Sequence, residues 1–371
     1  MNKDRNLRKP ETLLHFTWNR LKKNKIAILS LGILILFYFL AIFADFISPY
    51  SFDNEEREFS FCPPTKVHFF NLKKKIFFRP FIYGKVLEFD KYHQRIYKED
   101  KEKIYFIKFF AKGDSYKFLG IFKLNYHLFL VEHPVRLYLF GADSRGRDLF
   151  SRILYGSRVS LSIGLIGVFI SFFIGLFLGG ISGYYGGKLD NFIMRLTEMI
   201  MMIPGFYLML ALRSAFPPHL SSLQVYLLLV CIFSFIGWAS LARVIRGLVL
   251  TLKERDYVLA AKALGLSDLR IISRHILPHT LSYTIVAICL SIPGYILGES
   301  GLSLLGLGIQ DPYPSWGNLL SEAMGVINIR FHPWILASGI FIFITVLAFN
   351  LLGDGLRDAL DPLMKEQKIK I

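Results

Sequence analysis

The 371-residue chain is poor in charged residues and in cysteine. Only 19% of its residues are charged, against about 25% in soluble domains, while 53% are hydrophobic and the mean hydropathy is +0.43. A soluble globule of this size could not bury so much apolar surface, so the composition predicts a lipid-embedded chain. The three cysteines form no CxxC or Cys/His spacing, so we expect neither a disulfide framework nor a metal site.

Catalytic motifs are also absent from the sequence. It contains no HExxH, no GxSxG, no GxGxxG after a strand and no Walker A pattern. We therefore expect no catalytic residue and no cofactor bound by this chain, and any energy for work must come from a partner. The sequence does not predict an enzyme.

Six apolar segments are long enough to cross a hydrocarbon core, which takes about 20 helical residues. The third segment carries Arg195 and Glu198 and is interrupted by Pro204. The fifth is short, and Pro293 makes it a candidate for a kinked or broken helix. The six segments are 26–47, 160–180, 193–212, 220–241, 281–297 and 334–352.

Basic residues beside these segments predict the orientation. The net charge of +16 could indicate nucleic-acid binding, but cytoplasmic loops of membrane proteins also collect Lys and Arg. Clusters precede the first segment, fill the loop after the fourth and follow the sixth, and six crossings bring all three to one face. We therefore expect a cytoplasmic tail at 1–25 with no cleavable signal peptide, and a second cytoplasmic tail at 353–371. Both termini are predicted to be cytoplasmic.

The long stretch at 48–158 is predicted to be an extracytoplasmic insert rich in β-structure. The runs 103–111 and 116–124 are aromatic and β-branched and flank Lys112-Gly113-Asp114-Ser115, which predicts a hairpin. Further strands are expected at 67–70, 76–83 and 135–140. An irregular loop is the alternative.

Small residues recur at every fourth position of the second segment. This spacing makes a groove along one helix face, which lets another helix backbone approach closely. We interpret the groove as helix packing rather than as a ligand site. It comprises Gly167, Ser171, Gly175, Gly179 and Gly183, with Gly187 continuing the spacing.

The loop at 243–279 within the 159–352 core is the most informative segment. An Ala-rich helix is expected to end at Gly265, and a second helix with Leu269, Ile272 and Ile276 on one face is expected to end at Pro278. Such a slim elbow would fit into a cleft on a soluble partner, or would lie on the lipid headgroups. Its candidate contact residues are Tyr257, Ala260, Ala261, Ala263, Gly265, Asp268, Arg270, Leu277 and Pro278.

The same loop resembles the coupling loop of ABC-importer permeases. The matching positions are Ala260, Ala261, Gly265, Leu277 and Pro278, whereas Leu259 replaces the family's glutamate and His275 its first isoleucine. The stretches 141–156, 304–316 and 349–362 look like the C-type permease of dipeptide and oligopeptide importers. The resemblance covers roughly 15–50 and 140–364. It implies an all-α polytopic protein with six transmembrane helices of the type I ABC-importer permease fold, extended by the insert.

The resemblance also implies a mechanism and partners. A paralogous permease would complete a heterodimer, and two cytoplasmic ATPase subunits would bind ATP and Mg, each receiving one permease elbow. An extracytoplasmic peptide-binding protein would deliver the peptide at the outer face of the inner membrane. Transport would proceed by alternating access. A nickel-chelate or other small-solute importer of the same family is an alternative.

Ionisable residues inside the apolar segments are the remaining candidates for a pathway or interface role. Glu198 is three residues from Arg195, which favours an ion pair, and Arg213 and Glu299 are expected at the outer headgroup level. An ion-coupled secondary transporter would use Glu198 and Glu299 as proton or sodium sites. A membrane-anchored scaffold whose insert binds a ligand is a third class.

Other side chains on the outer side have a structural and a functional interpretation. Trp316 and Trp334 are interpreted as membrane-interface anchors. The charged residues of 143–148 either pair among themselves or contact a partner permease or binding protein.

Overall fold

The computed structural model of the protein describes residues 13–71, 76–89, 91, 95–118 and 120–361. The outer parts of both predicted cytoplasmic tails, 1–12 and 362–371, lie outside the described residues. In chain order, the helices up to residue 252 are α1 Leu13–Leu21, α2 Lys25–Ile42, α3 Ala44–Ile47, α4 Leu149–Tyr185, α5 Gly187–Met202, α6 Gly205–Ser214 and α7 Ser222–Leu252. The later helices are α8 Asp256–Ala263, α9 Asp268–Ile271, α10 Leu277–Leu304, α11 Trp316–Ser321, α12 Val326–Phe331 and α13 Ala337–Leu360.

Five apolar helical stretches are long enough to cross a membrane, and a sixth is bent. The five are α2, α4, α7, the stretch Asp268–Leu304 and the stretch Pro333–Leu360. The bent pair is α5 and α6, which meet at 88°. The bundle therefore has six spans if this pair counts as one.

Two prolines expected to interrupt spans behave differently. Pro204 lies between α5 and α6 with an extended backbone, and Ile203 before it is extended too, as the residue preceding a proline prefers. Pro293, by contrast, lies inside the uninterrupted helix α10. The fifth span, predicted to be kinked or broken, is therefore not broken at Pro293.

The small-residue groove of α4 holds α7 at close range. A Cβ built on Gly175 would lie 2.9 Å from the carbonyl oxygen of Trp238, and one on Gly179 would lie 2.5 Å from that of Ala242. Gly183 faces Arg246 in the same way, at 2.8 Å. At these three positions only a hydrogen atom fits between the two backbones. Gly187 is not part of the groove, because it begins α5 with a φ of +60° and faces open space.

Two members of the stripe face α10 as well as α7. A Cβ on Gly167 would lie 2.9 Å from the Tyr295 ring. The Ser171 hydroxyl lies 2.6 Å from the Tyr295 hydroxyl and 3.3 Å from the carbonyl oxygen of Ser234. The stripe thus packs α4 against two helices along one face.

Tryptophan side chains expected at the membrane interface are instead part of the packed interior. Trp316 is fully buried, its indole N–H donates to the Ile153 carbonyl at 3.1 Å, and its ring packs on Phe37 and Phe341. Trp334 is half-buried and donates to the Ala142 carbonyl at 3.1 Å. The interpretation of Trp316 as an anchor is wrong, because its one polar atom finds a partner inside the protein.

Residues between α3 and α4 contain a four-stranded antiparallel sheet in the order β1-β2-β3-β4. The strands are β1 His68–Asn71, β2 Ile76–Phe89, β3 Arg95–Phe118 and β4 Phe122–Val131. The amino-terminal half of β3 pairs with β2, and its carboxyl-terminal half pairs with β4.

The hairpin expected around 112–115 has its turn elsewhere. β3 continues through these residues with a register shift between Lys112 and Tyr116, and the chain reverses between Phe118 and Phe122. Gly120 has the positive φ of +76° that a turn requires, whereas Gly113 does not. The segment expected as a strand at 135–140 is irregular.

Substitution of a groove glycine tests the close approach of α4 and α7. Gly179→Ala places a methyl group against the Ala242 backbone, so we expect a loss of about 1–3 kcal/mol, as in overpacked cores, seen as a lower melting temperature of the detergent-solubilised protein. Gly247→Ala on α7 is the matched control, because Gly247 has no atom within 4 Å of its would-be Cβ. An equal effect of both substitutions would contradict the packing role.

Candidate functional site

A surface elbow connects α7 to the stretch Asp268–Leu304. α8 ends at Ala263, and the chain turns at Gly265, whose φ of +76° lies in the left-handed region. The Leu266 N–H donates to the Ala261 carbonyl at 3.2 Å and the Leu264 N–H to the Ala260 carbonyl at 3.0 Å. These bonds satisfy the last carbonyls of the helix and turn the chain sharply.

One face of α8 holds the elbow on the bundle. Val258 and Ala261 are buried in a cluster with Ile245 and Val249 of α7. Residues Ile271, Ile272, Ile276 and Leu277 complete this cluster. The elbow is therefore packed on the bundle rather than hinged freely beside it.

The opposite face of the elbow is exposed and largely apolar. Leu264 is 80% exposed, and the surrounding small and apolar side chains have no covering element among the described residues. The exposed members of this face are Tyr257, Leu259, Ala260, Ala263, Leu264 and Gly265.

The remaining predicted elbow residues divide between surface and interior. Arg270 and Pro278 are exposed, while Ala261 and Leu277 are buried. Asp268 is half-buried and accepts a 2.8 Å hydrogen bond from the Tyr184 hydroxyl at the end of α4. Contact residues and packing residues are therefore interleaved in the sequence.

The second elbow helix differs from the sequence prediction. It does not end at Pro278, because α9 continues through a π-helical turn, Ile272–Ile276, into α10. The Leu277 N–H bonds to the Ile272 carbonyl, and Pro278 lies in the first turn of α10, where a missing N–H is tolerated. Ile272 and Ile276 are buried as predicted, but Leu269 is 58% exposed and Ile271 is buried in its place.

An ion pair near the elbow joins three helices. The Arg246 guanidinium of α7 contacts both carboxylate oxygens of Asp190 in α5, at 2.8 and 2.5 Å. Asp190 also accepts from the Ser182 hydroxyl of α4. Arg246 lies in the basic loop predicted after the fourth segment, whereas its partner Asp190 is not predicted from local pattern because the two residues are 56 positions apart in the chain.

A cleft of about 500 Å³ opens between α4, α6, α7 and α10. Its walls are apolar, with hydroxyl groups contributed by Ser171, Ser240, Tyr283, Ser291 and Tyr295. No residue lining it is charged, and all lining residues belong to the described part of the chain. Ser240 and Ser291 are exposed at its mouth.

The charged candidates from the sequence lie outside this cleft. Glu198 pairs with Arg195 at 2.7 Å on the surface of α5. Arg213 is buried and donates to the Leu307 carbonyl at 2.8 Å. Glu299 is fully buried and accepts hydrogen bonds from Ser160 and Ser303.

Arg213 and Glu299 therefore do not face lipid headgroups, and their expected depth at the outer membrane surface stays a prediction. Both side chains are enclosed by protein, which supplies polar partners that lipid would not. Through these contacts, both side chains stabilise the fold.

A buried ion cluster joins the segment before α4 to the loop after α10. Arg147 is 1% exposed, and its Nε lies 2.7 Å from Asp143. Asp311 accepts from both Arg147 and Arg152, at 3.2 and 2.9 Å. The pairing of Asp143 with Arg147 was foreseeable from sequence, whereas Asp311, Arg152 and Glu322 are partners that only the fold supplies.

Two neighbouring residues extend this arrangement. Arg145 lies at the surface edge of the cluster, where it pairs with Glu55 at 3.1 Å and with Asp311 at 3.6 Å. Asp148 caps α4 by accepting from the Ser151 N–H at 2.9 Å, and burial raises the pKa of its carboxyl group to about 7.

Two family models match parts of the chain. The model of the binding-protein-dependent transport system inner membrane component matches residues 175–366, and the model of the N-terminal TM domain of oligopeptide transport permease C matches residues 12–64. The chain belongs to the first of these families, the multi-pass inner-membrane permeases of ABC importers. Such a permease works with ATPase partners and a substrate-binding protein and is not itself an enzyme.

Individual relatives cover most of the chain. The dipeptide transport system permease protein DppC of Bacillus subtilis is 32% identical over 94% of this chain and 85% of its own length. The oligopeptide transport system permease protein OppC of Haemophilus influenzae is 42% identical over 61% and 70%, respectively. The glutathione transport system permease protein GsiD of Pectobacterium atrosepticum is 43% identical over 64% and 76%.

Removal of one carboxylate tests the buried ion cluster. Asp311→Asn leaves Arg147 and Arg152 short of negative charge, so we expect a loss of about 2 kcal/mol at neutral pH. This is below the ~3–5 kcal/mol of a fully buried pair because Asp311 is 37% exposed. Glu55→Gln, which removes the surface pair with Arg145, is the control and should cost less than about 1 kcal/mol.

The same substitution has an expected pH dependence. Burial alone would raise the pKa of Asp311, but Arg152 and Arg147 outweigh it and hold the pKa below its usual value. The wild-type advantage over Asp311→Asn is therefore complete above the pKa of an unfolded Asp, about 3.9, and declines as the pH falls through the lower folded-state pKa. Melting temperatures measured between pH 3 and pH 8 check this, and an advantage that grows on acidification would contradict it.

Proposed function

We propose that the chain is one of two related permease subunits of an importer for di- or oligopeptides. The observation that carries this proposal is the continuity of α9, the second helix of the elbow, with α10, which also lines the uncharged cleft. A displacement of α8 by a partner would pass to this stretch through the buried contacts of α8 with Ile271 and Ile276, and would so reach the wall of the cleft.

The orientation follows from charge. Arg20, Lys22 and Lys23 lie just before α2. Arg243, Lys253 and Arg255 lie near the elbow. Six crossings, with the bent α5–α6 pair as the third, put both groups on the cytoplasmic face, as the excess of cations in short cytoplasmic loops favours. The sheet then lies on the extracytoplasmic face, together with the buried ion cluster.

The elbow is the proposed seat for an ATPase subunit. The small side chains of Ala260 and Ala263 let a partner approach the helix closely, and Leu264 offers an apolar knob. Leu259 stands where the family pattern has a glutamate and is half exposed, so it adds an apolar contact in place of a polar one. ATP and Mg would be bound by the ATPase, since this chain carries no nucleotide-binding motif.

The cleft is the proposed half of a transport pathway. The exposed Ser240 and Ser291 hydroxyls donate to carbonyl oxygens of their own helices and can still accept hydrogen bonds, which suits a water-filled path closed by a paralogous permease. Hydroxyls can exchange hydrogen bonds with the amide groups that every peptide carries, and the lack of charged lining groups avoids selection for side-chain charge. This supports a peptide substrate of varied sequence, delivered by an extracytoplasmic binding protein.

The names of the relatives support the same substrate class. They are described as dipeptide, oligopeptide and glutathione permeases, and glutathione is itself a peptide. Peptide length is left to the binding protein in this proposal. Glu198 and Glu299, the sites that ion coupling would need, do not line the cleft.

The conformation of Gly265 gives a controlled test of coupling. Gly265→Val forces a β-branched residue into a left-handed conformation, which costs an ordinary L-residue about 1–2 kcal/mol, although no atom obstructs the side chain. We expect this variant, reconstituted with its partner subunits in vesicles, to lose most ATP-driven peptide uptake while it still inserts and assembles. Gly265→Asn is the matched control and should retain uptake, because Asn tolerates this conformation. Wild-type uptake by the Val variant would contradict the proposed seat.

A further inference from the structure

The β3–β4 hairpin lies against the end of α2 that faces the insert. Leu128 of β4 packs in one cluster with Leu40 and Phe43. The Phe118 ring lies 5.7 Å from the Phe43 ring, centroid to centroid. The His127 Nδ1 atom lies 2.6 Å from the Ser48 carbonyl oxygen. These contacts fix the hairpin beside the span rather than above it.

The length of α2 sets the level of these contacts in the membrane. Its 18 residues extend about 27 Å at 1.5 Å per residue, close to the roughly 30 Å of a hydrocarbon core. Because α2 begins at Lys25, Leu40 and Phe43 lie near the opposite boundary of that core. Phe118, which contacts Phe43, lies at the same level.

Apolar side chains of the hairpin remain uncovered at this level. Ile121 is 74% exposed, Phe122 64% and Phe110 65%. Phe122 lies opposite Phe118 in the strand pairing, and the Phe110 ring lies 6.1 Å from the Phe46 ring of α3. This apolar surface therefore adjoins the end of α2, where Phe39 is also exposed. An apolar surface continuous with that of a membrane span is suited to the same solvent.

Basic residues flank the apolar group. Lys117 and Lys123 face each other across the two strands, and both are exposed. Like charges in directly opposed positions destabilise a strand pair unless an anion lies nearby, and neither lysine forms an ion pair with a described residue. Lipid phosphates at the membrane surface would supply the missing negative charge.

We propose that the end of this hairpin docks on the lipid leaflet at the insert side of the bundle. Ile121, Phe122 and Phe110 enter the boundary between headgroups and acyl chains, and Lys117 and Lys123 bind lipid phosphates. The hairpin thereby holds the sheet at a fixed height beside the first span. This inference uses only the membrane-spanning role of α2 and is independent of the substrate and of coupling to an ATPase.

Spin-label accessibility tests the proposal in the assembled transporter. A nitroxide is attached to Ile121→Cys in a background without native cysteines, and the transporter is placed in nanodiscs of phosphatidylcholine and phosphatidylglycerol. We expect the ratio of collision with oxygen to collision with a water-soluble nickel chelate to be several-fold higher than at Val86→Cys, an exposed apolar control on β2. The ratio should approach that of Phe39→Cys on the lipid-facing side of α2.

Two results would overturn the proposal. A ratio at Ile121 equal to that at Val86 would show that the hairpin end is in water, and protection from both reagents would show that a protein subunit covers it.

Charge reversal gives an independent check, because Lys117→Glu with Lys123→Glu should lower the ratio at Ile121 several-fold in discs with phosphatidylglycerol. The matched pair Lys101→Glu with Lys103→Glu, on the other half of β3, should leave the ratio at Ile121 unchanged. An unchanged ratio at Phe39 shows that the variants are folded. An equal effect of the two pairs would also overturn the proposal.

Discussion

The close approach of α4 and α7 is the constraint on which the rest of the bundle depends. Gly175, Gly179 and Gly183 leave room for the α7 backbone where any larger side chain would meet a carbonyl group. Helix association in lipid depends on such packing, because apolar burial alone offers little advantage there. The same contact positions the end of α7, and with it the Arg246–Asp190 pair and the start of the elbow.

The packing of α4 on α7 also connects the elbow to the bundle. The buried face of α8 contacts Ile245 and Val249 on α7, so the elbow moves with the helix that α4 holds. Beyond the elbow, the π-helical turn joins α9 to α10 without a break. Tyr283 and Ser291 of α10 line the cleft. The exposed helix α8 lies before the Gly265 turn and is joined to this stretch by packing on Ile271, Ile272 and Ile276. A two-state rocking motion needs such a connection between the site of force and the site of passage.

Most structural features that depend on a few neighbouring residues were predictable from the sequence. The apolar segments, the small-residue stripe, the Ala-rich helix and the left-handed Gly265 are each encoded within a few neighbouring residues, and the structure has these features. The turn of the hairpin was misassigned, because Lys112-Gly113-Asp114-Ser115 has turn chemistry but is accommodated as an irregularity inside β3. Pro278 was read as a helix end, although a π turn lets a proline begin the next helix.

Long-range partners could not be predicted in the same way. Asp311 is more than 150 residues from Arg147 and Arg152 along the chain, and the cleft combines hydroxyls from three helices. Trp316 was expected in the interface because its type is common there, whereas its actual environment depends on which helices surround it. Such contacts are products of the tertiary fold, and a single sequence carries no direct record of them.

The central claim is that an ATPase subunit is seated on the exposed face of the elbow. A photo-crosslinking residue at Ala263, with a second at the exposed Trp18 of α1, which packs on α13, as the control, tests this directly in inside-out membrane vesicles of the assembled transporter. The account predicts a covalent adduct between position 263 and the ATPase subunit, and a much weaker one from position 18. Adducts of position 263 with lipid alone, or with a protein on the extracytoplasmic side, would contradict it.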